Sequence, residues 1–412
     1  MPTLKNDRAS GRLSCAAACL LLIACSALVP SALRAQDSPE PYFDGRKAEH
    51  VYPGPGRDDP APADLREIRI GYFGPSDPQD PAYGDLWLAA GMAVDEINKA
   101  GGYQGLSFRL LSAWSKNPWG SGVSQVTRLV FDDDVLALVA GADGATAHLA
   151  EQIVAKALLP LVNPDSADRT ANLAHVPWIF SCLPGGQMET AALTNSLLDE
   201  IGRKPFLLIS ATDHDARVLT AELRDELGRR GVAPARHLEV TSAEGRDLDI
   251  ISSRLLSESQ AAAVVLIADP TVTARLLKRI RLFFDGPVFG SSSMARSVFL
   301  RLTENDTGPL RFPFPADFAG VEEFSRRFRA VWGHDADFAA AQTYDALHLI
   351  AAALDLAGPN RARLGDALRS LSPWRGVAGT LAWDRTGQNT RPVTMATLEN
   401  GRIRPLKLSS EN

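Results

Sequence analysis

The chain has 412 residues, 45% of them hydrophobic and 22% charged, with a formal net charge of −6. That balance is ordinary for a globular protein and excludes a mainly disordered or membrane-embedded one; at this length two lobes are expected. The negative charge argues against nucleic acid or an anionic lipid surface as the principal partner, since both select a basic face, and it leaves a small solute as the easier one to accommodate.

In chain order, residues 1–35 read as an export signal. Lys5, Arg8 and Arg12 precede an apolar segment from Leu13 to about Pro30, and Ala35-Gln36 supplies a small-residue exit. A second reading shares the segment, because Leu22-Ile23-Ala24-Cys25 has the lipobox pattern and would place a lipid on Cys25. Nothing after Ala35 is long and apolar enough to span a bilayer. Both readings put the protein outside the cytoplasm, in the periplasm or anchored at its membrane face. Cys15, Cys19 and Cys25 fall inside the signal, which leaves Cys182 as the cysteine of the exported chain. The fold is therefore expected to be held by its core rather than by an internal disulfide, with Cys182 as a small buried residue of that core. Residues 36–66 are rich in Pro, Gly and Asp without an apolar period, and read as a flexible linker.

The fold is expected to open with a strand at Ile68–Phe73, the loop Gly74–Pro78 and a helix over Gly84–Ala100, in which Leu86, Ala90, Val94 and Ile97 share one face. Gly101-Gly102 ends that helix where a left-handed cap is wanted. Phe108–Leu111 is the next strand, followed by a loop carrying Trp114 and Trp119. The most regular unit is Val135–Pro164: an apolar run at Val135–Ala140 without alternation, a small-residue turn at Gly141–Gly144, a helix with Leu149, Ile153 and Ala157 on one face, and a second apolar run at Leu158–Val162. Such a unit aims its loop and helix N-terminus out of the sheet's C-terminal edge, where open α/β folds bind ligands.

Trp178–Phe180 reads as one more strand and Leu183–Gly186 as a crossover. The alternation then restarts. Strands are expected at Phe206–Ser210, His237–Val240, Ala263–Ala268 and Val288–Gly290, with helices near Ala216–Arg230, Leu248–Ser257 and Val272–Phe284. Phe312-Pro313-Phe314-Pro315 marks a second crossover, and helices carrying Phe324, Phe328 and Val331, then Tyr344–Leu356, return to the first lobe. Trp374–Gly379 is a third crossover, with strands at Gly379–Trp383 and Val393–Leu398 around the turn Asp384–Asn389. The expected division is 67–184 with 316–375 as lobe 1, 185–315 with 376–406 as lobe 2, and 407–412 as a tail. The fold class is α/β, two doubly wound Rossmann-like lobes joined by three crossovers.

Several segments carry a resemblance. They are Ile68–Pro75, Tyr83-Gly84-Asp85, Ala93–Gly102, Leu161–Pro164, Tyr344-Asp345-Ala346-Leu347, and Gly376–Gly379 leading into Trp383-Asp384. In order and spacing they are similar to the type I periplasmic solute-binding proteins of ABC importers, in the leucine/isoleucine/valine-binding branch, over nearly the whole exported chain. The resemblance implies two lobes that close on a small solute in the cleft and a closed form that engages ABC permease subunits. It implies a monomer without a cofactor, which meets the membrane only through the permease or a lipid anchor. A sensing protein of the same fold, passing its closed state to a regulator or membrane receptor, is the alternative.

Amino-acid-binding members of that family use a hydroxyl-rich run after the third strand to hold the ligand carboxylate. Here the run is Asp143-Gly144-Ala145-Thr146, in which Thr146 alone keeps a hydroxyl. In the second lobe Asp213-His214-Asp215 replaces the family's usual Tyr-Gly, and Ser291–Ser293 lacks the acid that would pair an ammonium. The candidate cleft residues are Pro75, Tyr83, Trp114, Trp119, Asp143, Gly144, Ala145, Thr146, Asp165, Asp213, His214, Asp269, Ser291 and Ser292. Aromatic and acidic groups at strand exits suit a flat aromatic, sugar-like or cationic ligand.

No nucleophile elbow, P-loop, H-E-x-x-H motif or dinucleotide fingerprint is present, so no enzyme is expected. His148 and Glu151 stand three apart on a helix, but the sequence shows no second histidine or paired cysteine beside them, and they read as a solvated face with no metal. Asp132-Asp133-Asp134 lacks the spacing and glycine of a calcium loop and reads as a polar turn.

Overall fold

Apolar runs without alternation become parallel strands covered on both faces, and two such sets organise this chain. The computed structural model describes residues 54–406 except 63, 175, 242–243, 258–259 and 304–306; the expected export signal, Cys25 and the tail at 407–412 lie outside the described residues. In the first lobe, β1 (Ile68–Phe73), β2 (Phe108–Ala113), β3 (Ala137–Ala140), β4 (Leu161–Asn163) and β5 (Ile179–Ser181) form an all-parallel sheet in the order β2-β1-β3-β4-β5. The second lobe repeats the pattern. Its strands β6 (Phe206–Ala211), β7 (Arg236–Val240), β8 (Ala263–Ile267), β9 (Val288–Gly290) and β10 (Leu310–Phe314) run β7-β6-β8-β9-β10, again parallel. A hairpin of β11 (Trp374–Gly376) and β12 (Gly379–Leu381) stands apart, and β13 (Thr394–Glu399) with β14 (Arg402–Pro405) adds an antiparallel edge beside β10.

The helices that position the site are α1 (Gly84–Lys99), α2 (Gly144–Ala157), α3 (Gly186–Ile201), α4 (His214–Arg229), α5 (Pro270–Ile280), α6 (Phe318–Trp332), α7 (Phe338–Ala357) and α8 (Arg361–Ser370). On α1 the expected face is buried at Leu86, Ala90, Val94 and Ile97. Helix α7 is buried on most of its circumference, from Phe338 to Leu354, because it packs between α1 and α8. Strand order reverses between β1 and β3 and again between β6 and β8. In open α/β sheets those reversals mark the ligand crevice at the C-terminal strand ends. The N-termini of α2 and α4 follow β3 and β6 into that crevice.

Two local expectations are corrected. Phe312–Pro315 is no mere crossover, since it supplies the end of β10. Pro313 cannot donate to a ladder, and it lies beyond Leu310 and Arg311, the β10 residues paired with β9. The linker is also less free than its composition suggests. Asn360, N-cap of α8, accepts from the Arg363 amide and turns its own amide nitrogen to the carbonyls of Gly56 (2.8 Å) and Asp59 (3.1 Å). Arg57 pairs with Asp366. Residues 54–59 are thereby docked on α8.

At the third crossover the buried Asp345 of α7 accepts from Val377 N (2.7 Å) and Ala378 N (2.8 Å) in the β11–β12 turn. Asp345→Ala leaves both amides without this acceptor, at about 1–3 kcal/mol each. Urea unfolding should show about 2–5 kcal/mol lost, and a variant as stable as the parent would show that the turn does not depend on this carboxylate.

Candidate functional site

The crevice holds a half-open cavity of about 290 Å³. Its walls are strand exits: Ala142-Asp143 after β3, Asp165 to Asp168 after β4, Asp213 and Asp215 after β6, Ala268-Asp269 after β8, and Ser291–Ser293 after β9. Tyr83 stands at one side, with Leu219 and Glu222 of α4 and Glu189 of α3 at the other. Three of these acids are there because helices begin there. Asp143 caps α2 by accepting from Thr146 N (2.7 Å), Asp213 caps α4 through Ala216 N (3.0 Å), and Asp269 caps α5 through Thr271 N (2.8 Å) and Val272 N (3.1 Å).

Eight carboxylates line the cavity and one arginine opposes them. Arg296, which follows β9, donates to Asp165 Oδ2 (2.5 Å), Asp337 Oδ2 (2.9 Å) and the carbonyl of Ala82 (2.9 Å), and so ties the second lobe to the first. Burial pushes the Asp165 carboxyl up to about 7 despite that contact. Burial acts on Asp337 too, but Arg296 and the amides of Ser297 and Ala340 hold its carboxyl below the usual range. Close by, Ser297 Oγ donates to Asp85 (3.0 Å) and Arg301 to the carbonyl of Pro81 (2.8 Å).

The other acids are poorly compensated. Glu189 takes the amide (2.8 Å) and hydroxyl (2.9 Å) of Ser292, and burial raises it to about 7. Asp215 reaches across the crevice to the amide of Gly144 (2.8 Å); burial, then the charge of Asp143, raises it to about 7. Glu222 accepts from Arg169 on one oxygen (2.9 Å), and its buried second oxygen has no partner. Burial raises this carboxyl as well.

At the rim the fold supplies what the sequence hid. His148 of α2, Asp168 and His214 of α4 come together, with Asp168 Oδ2 3.1 Å from one imidazole and 2.7 Å from the other. Three such groups could hold a metal ion. The expectation that His148 is part of a solvated face without a second histidine is therefore corrected: the second histidine is 66 positions away and arrives from the other lobe. Hydrogen bonds to Asp168 and Glu151 raise His148 to about 9. Burial works against Asp168, but hydrogen bonds from His148, Thr170 and His214 hold it well below the usual carboxylate range. Cys182, buried and off the cavity wall, has a thiol pushed up by burial and offers no nucleophile.

The sequence model of a family described as "Periplasmic binding protein" matches residues 67–402. The chain belongs to the periplasmic binding protein family. It is 23% identical over 341 residues to an "Amino acid binding protein" of Pseudomonas aeruginosa, covering 78% of this chain and 87% of that one. Its fold is similar to the substrate-binding protein LivJ of Streptococcus pneumoniae solved with isoleucine, with a TM-score of 0.73 at 20% identity over 82% of this chain and 97% of the other. It is similar again to a solute-binding protein of R. palustris solved with benzoate, with a TM-score of 0.71 at 14% identity over 82% and 95%.

In this periplasmic binding protein Tyr83, Asp143, Asp165, Asp213, Asp269, Ser291 and Ser292 stand on the cavity wall. Gly144 and His214 lie where the lobes meet. Pro75, Trp114, Trp119, Ala145 and Thr146 are off the wall. Trp114 packs on Phe73 with ring centres 5.6 Å apart, and Trp119 is 56% exposed beside the turn that Asn117 caps, so neither tryptophan stacks in the crevice. Thr146 spends its hydroxyl inside the α2 capping box. Sequence reasoning missed Asp168, Glu189, Asp215, Glu222 and Arg296. Asp168 and Asp215 each sit within three residues of a candidate and follow a strand, which is a usable signal; Glu189 and Glu222 lie inside helices and carry none.

Two outcomes follow. Arg296→Ala strands two buried carboxylates, a loss of about 3–5 kcal/mol by analogy with broken buried pairs, and scattering should show a more open chain; an equally compact and stable variant would remove Arg296 as the closing contact. For Glu189, a folded value near 7 against about 4.3 unfolded means the folded state holds the proton across that window, so stability falls as pH rises through it. Glu189→Gln should gain thermal stability relative to the parent between pH 4.5 and about 7.5; a difference independent of pH would contradict the assignment.

Proposed function

We propose that this protein is the extracytoplasmic solute-binding component of an ABC importer, and that its cavity takes a small organic cation such as a di- or polyamine or a guanidino compound. The observation that carries the reading is the excess of carboxylates around a half-open cavity, eight on its wall against Arg296, with Arg169 on Glu222 and His148 on Asp168 as further partners from outside the wall. Buried like charges are costly without a counter-charge, and a bound cation supplies it. Family membership over residues 67–402 supports the receptor role, and the two relatives solved with isoleucine and with benzoate show how varied the solutes of this fold are. Both of those solutes carry a carboxylate. In this chain the matching helix N-terminus is already met by Asp143 and Asp215, which leaves an anion no favourable place.

Closure brings the lobes together around the solute, and the closed surface is what permease subunits engage. Export through residues 1–35 places the protein outside the cytoplasm, and intact-mass measurement of the membrane fraction tells whether Cys25 carries a lipid. The binding role needs no catalytic group. No helix among the described residues is long and apolar enough to cross a membrane.

A thermal-shift screen tests the solute class. Putrescine, spermidine and agmatine should raise the midpoint, by about 2.7 kcal/mol of added stability at a hundredfold excess over Kd, while isoleucine and benzoate should not. Asp215→Asn should weaken the amine response about tenfold or more. A shift with isoleucine or benzoate and none with amines would overturn the cationic assignment while leaving the receptor role intact.

A further inference from the structure

We propose that His148, Asp168 and His214 form a site for one divalent d-block cation, zinc-like in its preference for imidazole, that bridges the two lobes at the rim of the crevice. The proposal stands independently of the solute. The three side chains reach one point from distant elements: His148 from the second turn of α2, Asp168 from the loop after β4, and His214 from the first position of α4. Both imidazoles face the same oxygen, with His148 Nε2 at 3.1 Å and His214 Nε2 at 2.7 Å from Asp168 Oδ2. The three ligand atoms lie within 4.8 Å of one another. Bonds of about 2.0–2.1 Å to a tetrahedral ion set neighbouring ligand atoms about 3.3 Å apart, so each imidazole nitrogen has to draw back from Asp168 Oδ2, His148 Nε2 from 3.1 Å and His214 Nε2 from 2.7 Å.

Groups that orient metal ligands are already in place. Asp168 Oδ1 is occupied by the amide (2.9 Å) and hydroxyl (2.6 Å) of Thr170, which leaves Oδ2 turned toward the imidazoles. Behind His148, Glu151 Oε2 stands 3.5 Å from Nδ1, the carboxylate-behind-imidazole arrangement that fixes the tautomer and ring of a ligating histidine. Gly144 keeps the adjacent space clear, because a Cβ there would approach His214 Cδ2 to 2.7 Å and Asp168 Oδ2 to 3.0 Å. Two imidazoles and one carboxylate select zinc, cobalt, nickel or copper over the oxygen-seeking calcium and magnesium. The carboxylate of Asp168 is 1% exposed and the imidazole of His214 40%, so the site has a held base and an open side for entry and for a fourth ligand. Two ligands belong to the first lobe and the third to the second. The full set therefore exists only in the closed arrangement, and an ion bound there favours closure.

The test uses cobalt and zinc alone on the purified chain after chelator treatment. One equivalent of Co²⁺ should produce the visible absorption of a four-coordinate nitrogen and oxygen site, Zn²⁺ should abolish it, and scattering should show the chain more compact with Zn²⁺. His214→Gln, compared with its own metal-free state, should lose the compaction and weaken Co²⁺ binding by about 100-fold or more, since a lost ligand exceeds the 10–100-fold that outer partners carry. Glu151→Gln should weaken binding about tenfold. Absence of the cobalt spectrum, or binding left unchanged by both His148→Gln and His214→Gln, overturns the site. Loss with His148→Gln alone puts the ion within one lobe and overturns the bridge.

Discussion

The contact on which the closed crevice depends is the guanidinium of Arg296. It is buried, it leaves the second lobe, and it ends on Asp165, Asp337 and the Ala82 carbonyl. A buried charge is tolerated only when it is paired and hydrogen-bonded, and here the partners are distributed across the lobe boundary. The pairing is thus satisfied in one arrangement of the lobes, and separation exposes every member to solvent at once. Packed contacts of this kind are bistable rather than continuously deformable.

Around that contact the wall chemistry follows from helix capping. Each of Asp143, Asp213 and Asp269 satisfies orphan amides at the start of a helix, and each helix starts at a strand exit facing the crevice. One carboxylate oxygen of each serves the cap, and each residue also lines the cavity, so the same side chains carry local stability and set the charge of the wall. The helix N-terminus that would attract an anion is neutralised by the acid that caps it. An anionic ligand at that terminus would meet Asp143 and Asp215, although the fold is similar to that of proteins solved with isoleucine and benzoate.

The strands were legible because parallel strands buried on both faces leave continuous apolar runs, as at Val135–Ala140, Phe206–Ser210 and Ala263–Ala268. The face of α1 was legible from spacing alone. The two expectations that failed locally did so through tertiary pairing. Pro313 looks like a breaker until β9 is seen to stop pairing before it, and the Pro/Gly-rich linker looks free until Asn360 is seen to hold its carbonyls. Trp114 and Trp119 misled for a related reason, since an aromatic in a loop advertises a pocket but is equally served by packing on Phe73 or by solvent.

By itself the sequence determined the two α/β lobes, the three passages between them, the strand exits that carry ligand-facing residues and the acidic character of several of those exits. These are properties of local period, propensity and capping, all of which act over a few neighbouring residues. Tertiary structure alone decided that Glu189 and Glu222, ordinary helix positions, face the cavity, that Arg296 closes it, and that His214 meets His148 over Asp168. Those relations join residues dozens to more than a hundred positions apart, and only the packing of one lobe against the other sets the distance between them.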